Sequence, residues 1–480
     1  RKMMKRVTYL SHIRLPLSII AAAILAGCAS VSFEQNVGRV NEEVAGFAEG
    51  KLTLARTNEE RTQRAQAAAT LLKAPVGQKE AVQLALVNSP ALQGLLAQGW
   101  AESADAAQNG RISNPVFSFE RLVAGDELEL GRALSFGLLD ILTLPARQGI
   151  AERRIEQAQL RLTSEVVDHV TRVRQAWVRA VAAKQTLNYA HQVFESAEAS
   201  AELARRMQSV GNFNRLNRAR EQAFYADSAS RLATAQHVTN ATREELIRLL
   251  GLDEAQAGLL QLPERLPDLP KQALDPGAVG ATATKTRLDI RLAQAALDGA
   301  SRAQGLGKIT SVTDIELTAR RNTKIDNSTG TRSDPRGYEI GVRLPIFDWG
   351  GMQRDAWNAR TLAAANQLEA TIRTAGSNLR ESYSAYRTAH EIARHHREEV
   401  IPVRKVISEE NQLRYNGMII GIFELIADAR DQVNTVIAAI NAEQQFWLAD
   451  AALQAALIGR PTNTSLSVTT STPNAGGAGH

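Results

Sequence analysis

The sequence contains almost no cysteine and few aromatic residues. Cys28 is its single cysteine, which excludes a disulfide framework and any zinc cluster built on cysteines. Only 5% of the 480 residues are Phe, Trp or Tyr. Globular enzyme cores usually depend more on large rings, whereas alanine-rich sequence with few rings suits helices that pack closely along their length. The composition therefore favours long packed helices.

The chain also lacks a strong charge of either sign. Lys and Arg number 56 and Asp and Glu number 51, which gives a formal charge of +5. Residues 1–27 carry five basic side chains and no acid, so the remainder of the chain is formally neutral. A basic surface for nucleic acid is therefore not implied, and no nucleic-acid partner is expected.

Long apolar runs are absent beyond the amino terminus, so no membrane-spanning helix is expected in the rest of the chain. The run Leu15–Leu25 follows several basic residues and is too short to span a bilayer, which is typical of a signal peptide over residues 1–27. It ends in Leu25-Ala26-Gly27-Cys28, which resembles a bacterial lipobox. That resemblance implies acylation of Cys28 as the new first residue, and Ala29 after it is typical of an outer-membrane destination. An ordinary signal peptide is the alternative, and the natural start is expected at Met3 or Met4.

After the predicted signal peptide, the sequence predicts the same order of helices and strands twice. Apolar spacing in the first unit predicts a helix over 78–110, strands over 115–122 and 128–138, a very long helix over 147–208, a break at Gly211 and a return helix to Leu250. A proline-rich linker follows, in which no helix is expected to persist. The second unit repeats the order. It begins with a helix over 287–302 and strands over 312–320 and 338–344, which a polar loop over 322–336 separates. A long helix over 352–415, disturbed at Pro402, follows; breaks are expected at Gly417 and Gly421, and a return helix runs to Ile458.

The similar offsets of matching positions support a duplication, since 208 positions separate Asp140 from Asp348 and 206 separate Gly211 from Gly417. The expected domains are a signal peptide (1–27), an anchor and linker segment (28–77), repeat 1 (78–251), a linker (252–276), repeat 2 (277–460) and a disordered tail (461–480). The fold class is mainly α with β. Four strands cannot close a barrel alone, and an open sheet edge is not tolerated in lipid, so membrane strands would require several chains.

The sequence resembles the TolC-like outer-membrane factor family over roughly residues 78–460. The resemblance is carried by the stretches 80–86 (EAVQLAL) with 88–92 (NSPAL), 341–348 (GVRLPIFD) with Gly350-Gly351, and 415–417 (YNG) followed by 423–430 (FELIADAR). It implies a homotrimer whose chains each give four strands to a twelve-stranded β-barrel, continued by a periplasmic α-helical tunnel. The junction 138–145 is longer than its counterpart in the second repeat.

The resemblance also implies functional positions at the helix reversals. Val210, Gly211 and Asn212, with Asn416, Gly417 and Met418, resemble paired tip motifs that dock a periplasmic adaptor; simple loop glycines are the alternative. Glu424 and Asp428 are one helical turn apart, so three chains would place carboxylate rings in a pore gate. Asp428 matches a family gate acid, whereas Glu424 is displaced by one residue from the usual second acid. A solvated acidic face is the alternative.

Enzyme signatures are missing. The segment Gly305 to Thr310 partly matches a phosphate-binding loop. It lacks the upstream glycine of that motif, and Ile309 stands where the motif requires a hydroxyl residue, so the segment is expected to be a helix end. His390, His395 and His396 are expected on a solvated helix face, not in a metal site. The expected function is therefore a lipid-anchored outer-membrane channel of a tripartite efflux system, which passively conducts substrates from an inner-membrane pump through the adaptor, without catalysis or cofactor. The alternatives are a type I protein-secretion duct of the same fold, a structural coiled-coil envelope lipoprotein and a periplasmic enzyme.

Overall fold

The structure is a computed structural model that describes residues 32–275 and 287–462. The predicted signal peptide, Cys28 and most of the predicted tail lie outside these residues. In the part of the chain that is described, no helix is both long enough and apolar enough to cross a membrane.

Two helices occupy the segment that was expected to be an anchor and linker: α1 (Phe33–Ala48) and α2 (Asn58–Leu71). The side chain of Asn41 donates to the carbonyl of Leu52 and accepts from its N–H, at 3.0 and 2.7 Å, which fastens the link between the helices to α1. At the start of α2, Thr57 and Glu60 form a reciprocal capping box. This segment is therefore folded.

The helix predicted over 78–110 is two helices, α3 (Gln78–Asn88) and α4 (Pro90–Asn109). Proline lacks an N–H and disfavours helical backbone in the residue before it. Ser89 accordingly has an extended backbone, with φ −65° and ψ 117°. The apolar periodicity continues across this break and does not reveal it.

A single antiparallel sheet brings together strands from both repeats: β1 (Val116–Ala124), β2 (Glu127–Gly137), β3 (Ile315–Asp326), β4 (Thr331–Ser333) and β5 (Arg336–Val342). The order is β1-β2-β3, and both β4 and β5 pair with the far side of β3. The β1–β2 turn and the β3–β4 turn lie at one end of the sheet, because Asn327 N–H donates to Asp126 C=O at 2.9 Å. We call this end the turn end.

The polar loop predicted over 322–336 is shorter than expected. β3 continues to Asp326 because its outer residues pair with β2: Asn322 donates to the Glu129 carboxylate at 2.6 Å, and Lys324 lies 3.3 Å from it. The Asp326 side chain then accepts from the N–H groups of Ser328 and Thr329, which closes the turn before β4. The fourth strand position is thus shared by β4 and β5.

The long helices agree with the sequence prediction. In the first repeat, the junction is the single turn α5 (Leu138–Leu142), followed by α6 (Leu144–Ser209) and α7 (Arg215–Leu250). α6 has 66 residues, about 100 Å at 1.5 Å per residue. The linker holds a short helix, α8 (Glu254–Leu259), which precedes the first proline and was not expected.

In the second repeat, α9 (Leu288–Thr310) precedes the strands, and α10 (Gly351–His395), α11 (Ile401–Asn416) and α12 (Ile422–Ile458) follow them. The Gly305–Thr310 stretch forms the last turns of α9. The disturbance expected at Pro402 is a π-turn over His396–Val400, in which Ile401 N–H donates to His396 C=O five residues back. Pro402 cannot donate an N–H and would clash with the carbonyl of Glu398 in a regular helix, which explains the wider turn.

The two repeats end in the same way. Gly251 and Gly459 follow α7 and α12 with φ of +67° and +95°, a left-handed helix cap that favours glycine. A Cβ on Gly251 would lie 2.4 Å from the Pro90 ring, and one on Gly459 would lie 2.9 Å from the nitrogen of Leu288. Each cap therefore packs against the start of a helix in its own repeat, as a duplication predicts.

The described chain forms two compact units. One contains the sheet, with residues 32–39, Gln98–Arg161 and Arg291–Thr371; the other contains Val40–Ala97, most of the remaining helices and the helix reversals. In the second unit, Tyr386, Phe446 and Leu453 form part of a buried cluster. His390 joins it: its side chain is 3% exposed, its ring centre lies 5.4 Å from that of Phe446, and its Nε2 lies 2.9 Å from Pro270 C=O. The solvated face predicted for His390 is therefore wrong.

Candidate functional site

The first helix reversal joins α6 to α7 through Val210, Gly211 and Asn212. Gly211 has φ +81°, its N–H donates to Gln208 C=O at 3.0 Å, and the next N–H donates to Met207 C=O at 2.9 Å. These bonds close the carboxyl end of α6. The Asn214 side chain then accepts from Asn217 N–H and begins α7. Nothing lies within 4 Å of a Cβ built on Gly211, so its backbone conformation alone favours glycine there.

The second reversal joins α11 to α12, and its left-handed residue is Met418, not Gly417. Gly417 has φ −80°, whereas Met418 has φ +56° and its side chain is 93% exposed. Met418 N–H donates to Tyr415 C=O and Ile419 N–H donates to Arg414 C=O, at 2.9 and 2.8 Å. Asn416 is the last residue of α11. The sequence correctly predicts the place of the reversal, and the positive φ falls on the residue after the predicted glycine break.

The two predicted gate acids have different surroundings. Glu424 is exposed in the first turn of α12. The Asp428 side chain is 5% exposed, and its Oδ1 lies 3.8 Å from Arg404 of α11. Its Oδ2 is buried without a hydrogen bond to the described residues. Arg404 also donates to Asp431 at 3.1 Å. Of the predicted pair, Glu424 thus presents an open carboxylate, while Asp428 faces a cation on the neighbouring helix.

Sequence reasoning missed Arg404 and Asp431. Asp431 lies one turn beyond Asp428 on the same helix, so the spacing could have suggested a third acid. Arg404 comes from another helix, and no local pattern predicts that it reaches these carboxylates. The group contains two acids and one shared arginine, so it keeps a net negative charge.

A second buried acid lies near the first reversal. Glu221 of α7 is 2% exposed, and neither of its carboxylate oxygens has a hydrogen-bond partner among the described residues. Burial raises the pKa of this carboxyl, while the positive charge of Arg430 opposes the rise. Arg430 lies 4.6 Å above the Phe224 ring and donates to Arg220 C=O at 3.3 Å. Arg430 therefore links α12 to α7.

The sheet in the other unit has two chemically different faces. Residues paired across antiparallel strands share a face, so the register assigns each side chain. One face carries Phe117, Leu134, Leu317, Tyr338, Ile340 and Val342. The opposite face is polar: Ser135 and Thr318 share a hydrogen bond of 2.8 Å, and Arg320 lies 3.0 Å from Glu339. We call these the apolar face and the polar face.

Solved structures similar to this chain include outer-membrane channels. The CmeC outer membrane channel of Campylobacter jejuni is 14% identical over 85% of this chain and 89% of that chain, with a TM-score of 0.66. The outer membrane protein VceC of Vibrio cholerae is 17% identical over 84% and 98%, with a TM-score of 0.64. The MtrE outer membrane channel of Neisseria gonorrhoeae is 18% identical over 83% and 91%, with a TM-score of 0.62.

No protein-family model and no curated protein sequence matches the chain. At identities below 20%, the structural likeness is evidence for the fold. In this chain, each pair of long helices follows strands of one small sheet, as the sequence predicts. The chain therefore has the TolC-like fold of these outer-membrane channels.

Proposed function

We propose that this protein is the outer-membrane channel of a tripartite efflux system. It acts as a homotrimer that passively conducts substrates received from an inner-membrane pump through a periplasmic adaptor. It has no catalytic role and uses no cofactor. The observation that carries the proposal is the sheet with one apolar face, one polar face and two unpaired edges.

The sheet suits a barrel that several chains build together. An outer-membrane barrel has an apolar surface toward lipid and a polar interior, which corresponds to the two faces found here. β1 lies at one edge and β5 at the other, so among residues 32–275 and 287–462 of one chain no strand lies beside their outer backbone groups. Such edges are excluded from lipid because each unpaired group costs several kcal/mol. In the proposed trimer, β1 of one chain pairs with β5 of the next, and twelve strand positions close the barrel.

The amino terminus and the helix reversals complete the proposal. Cys28 carries the lipid anchor in the outer membrane. The turns at Val210–Asn212 and Asn416–Met418 dock the adaptor in the periplasm; Val210 and Met418, which are 70% and 93% exposed, supply apolar contact there. Glu424 and Asp428 line the gate: the carboxylate of Glu424 is exposed to solvent, and that of Asp428 forms an ion pair with Arg404.

Assembly is the experiment that tests this function. Native mass spectrometry of the detergent-extracted protein should give three copies, and the same material should form channels in planar bilayers. A stable monomer with intact strand content would contradict the proposal. Chain-to-chain pairing can be tested directly by oxidising Ser118→Cys combined with Gly337→Cys, Glu339→Cys or Gly341→Cys, since these residues lie on the polar face of the two edge strands. One pair should give covalent trimers, and each single variant is the matched control.

A further inference from the structure

Three arginines lie side by side on the apolar face of the sheet. Arg132 of β2 is paired with Arg321 of β3, and Arg321 is paired with Arg336 of β5. All three are exposed. Directly opposed like charges destabilise a sheet, so this arrangement needs a source of negative charge. We call these residues the arginine row.

The strands separate their charges by face. The register places every acid of β1, β2, β3 and β5 on the polar face: Glu120, Glu127, Glu129, Glu316, Asp326 and Glu339. Arg121 also lies on the apolar face, where those strands carry no acid. The charges of the row are therefore not balanced within its own surface.

Asp334, between β4 and β5, is an acid close to the row. It accepts from the Thr323 hydroxyl at 2.8 Å and lies 3.6 Å from Arg332, while its charge also attracts Arg321 at longer range. Among the described residues, no acid lies within ion-pair distance of Arg132, Arg321 or Arg336. A ligand from outside the chain can therefore meet these three guanidinium groups.

The position of the row identifies that ligand. On β5, from Tyr338 through Ile340 and Val342 to Leu344, exposed apolar side chains cover about 20 Å at 3.3 Å per residue. On this strand the row begins where they end, on the side of the turn end; on β1, β2 and β3, the apolar side chains of Val123, Leu128 and Ile325 lie beyond the row. Outer-membrane barrels carry an apolar band about 25 Å tall. The row therefore meets the lipid surface near the border between acyl chains and head groups, where long basic side chains extend toward the polar layer.

We propose that Arg132, Arg321 and Arg336 bind the phosphate groups of a phosphorylated lipid in the outer leaflet. Guanidinium groups match phosphate oxygens in bidentate geometry, and neighbouring arginines can share one multiply charged head group. This inference rests on the proposed function, because it requires the apolar face to contact the outer leaflet. In a trimer, the rows form a ring of nine guanidinium groups around the barrel.

The test compares two variants with equal loss of charge. Arg132→Gln/Arg321→Gln removes two members of the row, whereas Arg320→Gln/Lys324→Gln removes two cations from the polar face of the sheet. The purified proteins are titrated with bis-phosphorylated lipid A in detergent, and bound lipid is counted by native mass spectrometry. We expect the row variant to bind at least tenfold more weakly and the polar-face variant to bind like the unaltered protein. Equal weakening in both variants, or in neither, would overturn the inference.

Three further binding measurements test which chemical group of the lipid is recognised. Lipid A without its phosphates should bind weakly to the unaltered protein, and inorganic phosphate at the same concentration should not displace bis-phosphorylated lipid A. Tight binding of the dephosphorylated lipid, or displacement by inorganic phosphate, would contradict recognition of a lipid phosphate. Arg132→Lys/Arg321→Lys keeps the charge but loses the bidentate geometry, and we expect intermediate binding.

The same spectra separate this inference from the proposed function. If the unaltered chain is not trimeric, the proposed function fails. If the unaltered chain and the row variant are both trimeric but retain lipid A equally, only the arginine row fails as a lipid site.

Discussion

Met418 occupies at the second helix reversal the backbone position that Gly211 occupies at the first. Both have positive φ, and in both the N–H donates three residues back while the following N–H donates five residues back. The two residues are 207 positions apart. Left-handed backbone costs a residue with a side chain about 1–2 kcal/mol, whereas glycine adopts it readily.

The two reversals should therefore respond oppositely to substitution. Gly211→Ala should destabilise the protein by about 1 kcal/mol, because there is space for the methyl group but not a favourable backbone. Met418→Gly should be neutral or stabilising by up to about 1 kcal/mol. Heat unfolding followed by circular dichroism checks both midpoints. Gly421→Ala, at an extended position before α12, is the control, and a rise in midpoint for Gly211→Ala would contradict the assignment.

Asp450 should make stability depend on pH. Burial raises the pKa of its carboxyl to about 6, although the charge of Arg174 and a hydrogen bond from Gln454 at 2.8 Å favour the ionised form. Because the pKa in the folded state lies above the unfolded value of about 3.9, ionisation opposes folding fully above pH 6 and no longer does so below about pH 4. This group therefore adds stability as the pH falls from 7 to 4.

Asp450→Asn should remove that contribution. A shift of about two pKa units corresponds to at most about 3 kcal/mol. The variant should be the more stable protein at pH 8 and should lose this advantage near pH 4, which unfolding midpoints at the two pH values can measure. Glu410→Gln, at an exposed position of α11, is the matched control. An equal difference between Asp450→Asn and the unaltered protein at both pH values would show that the carboxyl titrates normally.

The proposed gate acids should differ in their effect on ion selectivity. Glu424→Gln should lower the preference for cations, because an exposed carboxylate repeated in a narrow pore acts directly on passing ions. Asp428→Asn should have a smaller effect, since that carboxylate is buried against Arg404. Reversal potentials in planar bilayers under a salt gradient measure both effects. A larger loss for Asp428→Asn would reverse the roles assigned to the two acids.

Replacing both acids tests whether they belong to the gate. Glu424→Ala/Asp428→Ala should weaken block by multivalent cations as well as selectivity, while trimers still form. Unchanged selectivity and block would place both residues outside the gate, with the constriction nearer to Gly211 or Arg215.

Lipidation is predicted from the sequence alone. Cys28→Ser should abolish incorporation of labelled palmitate, because the acylated thiol is absent. Metabolic labelling followed by immunoprecipitation measures this. The Cys28→Ser protein should remain as an unprocessed precursor, and equal labelling of both proteins would exclude acylation at this residue.

Surface labelling should establish the orientation in the membrane. Cysteines at Asp126 and Thr329, in the two exposed turns at the turn end, should react with a membrane-impermeant maleimide on whole cells. Cysteines at Asn212 and Met418 should react only after the outer membrane is permeabilised. The opposite pattern would mean that the orientation is inverted.

Elements with long uninterrupted periodicity could be predicted from the sequence. α6, α7 and α12 lie within a few residues of their expected bounds because their apolar repeats end at Gly211, Gly251 and Gly459. The break before Pro90 was missed because apolar residues recur on both sides of it. The short helix α8 was missed because the prolines of the linker dominated the prediction for the whole segment.

The site was less predictable because it depends on contacts between distant residues. The ion pair of Asp428 depends on Arg404, which lies 24 positions earlier and on another helix. His390 looks like a surface residue beside Arg387 and Arg394, yet it packs on Phe446 and meets a carbonyl of the linker. The arginine row becomes visible only with strand register, because Arg321 and Arg336 are adjacent in space but separated by the β4 turn.

The π-turn at His396–Val400 gives the second repeat a different helical phase from the first. α6 and the run from Gly351 to Asn416 have the same number of residues, but one turn of the second run holds an additional residue. Successive residues of an α-helix are about 100° apart, so side chains of α11 are rotated by about that angle from those at matching places near the end of α6. In a trimer, the reversals would form two unlike sets of three and not six equivalent ones.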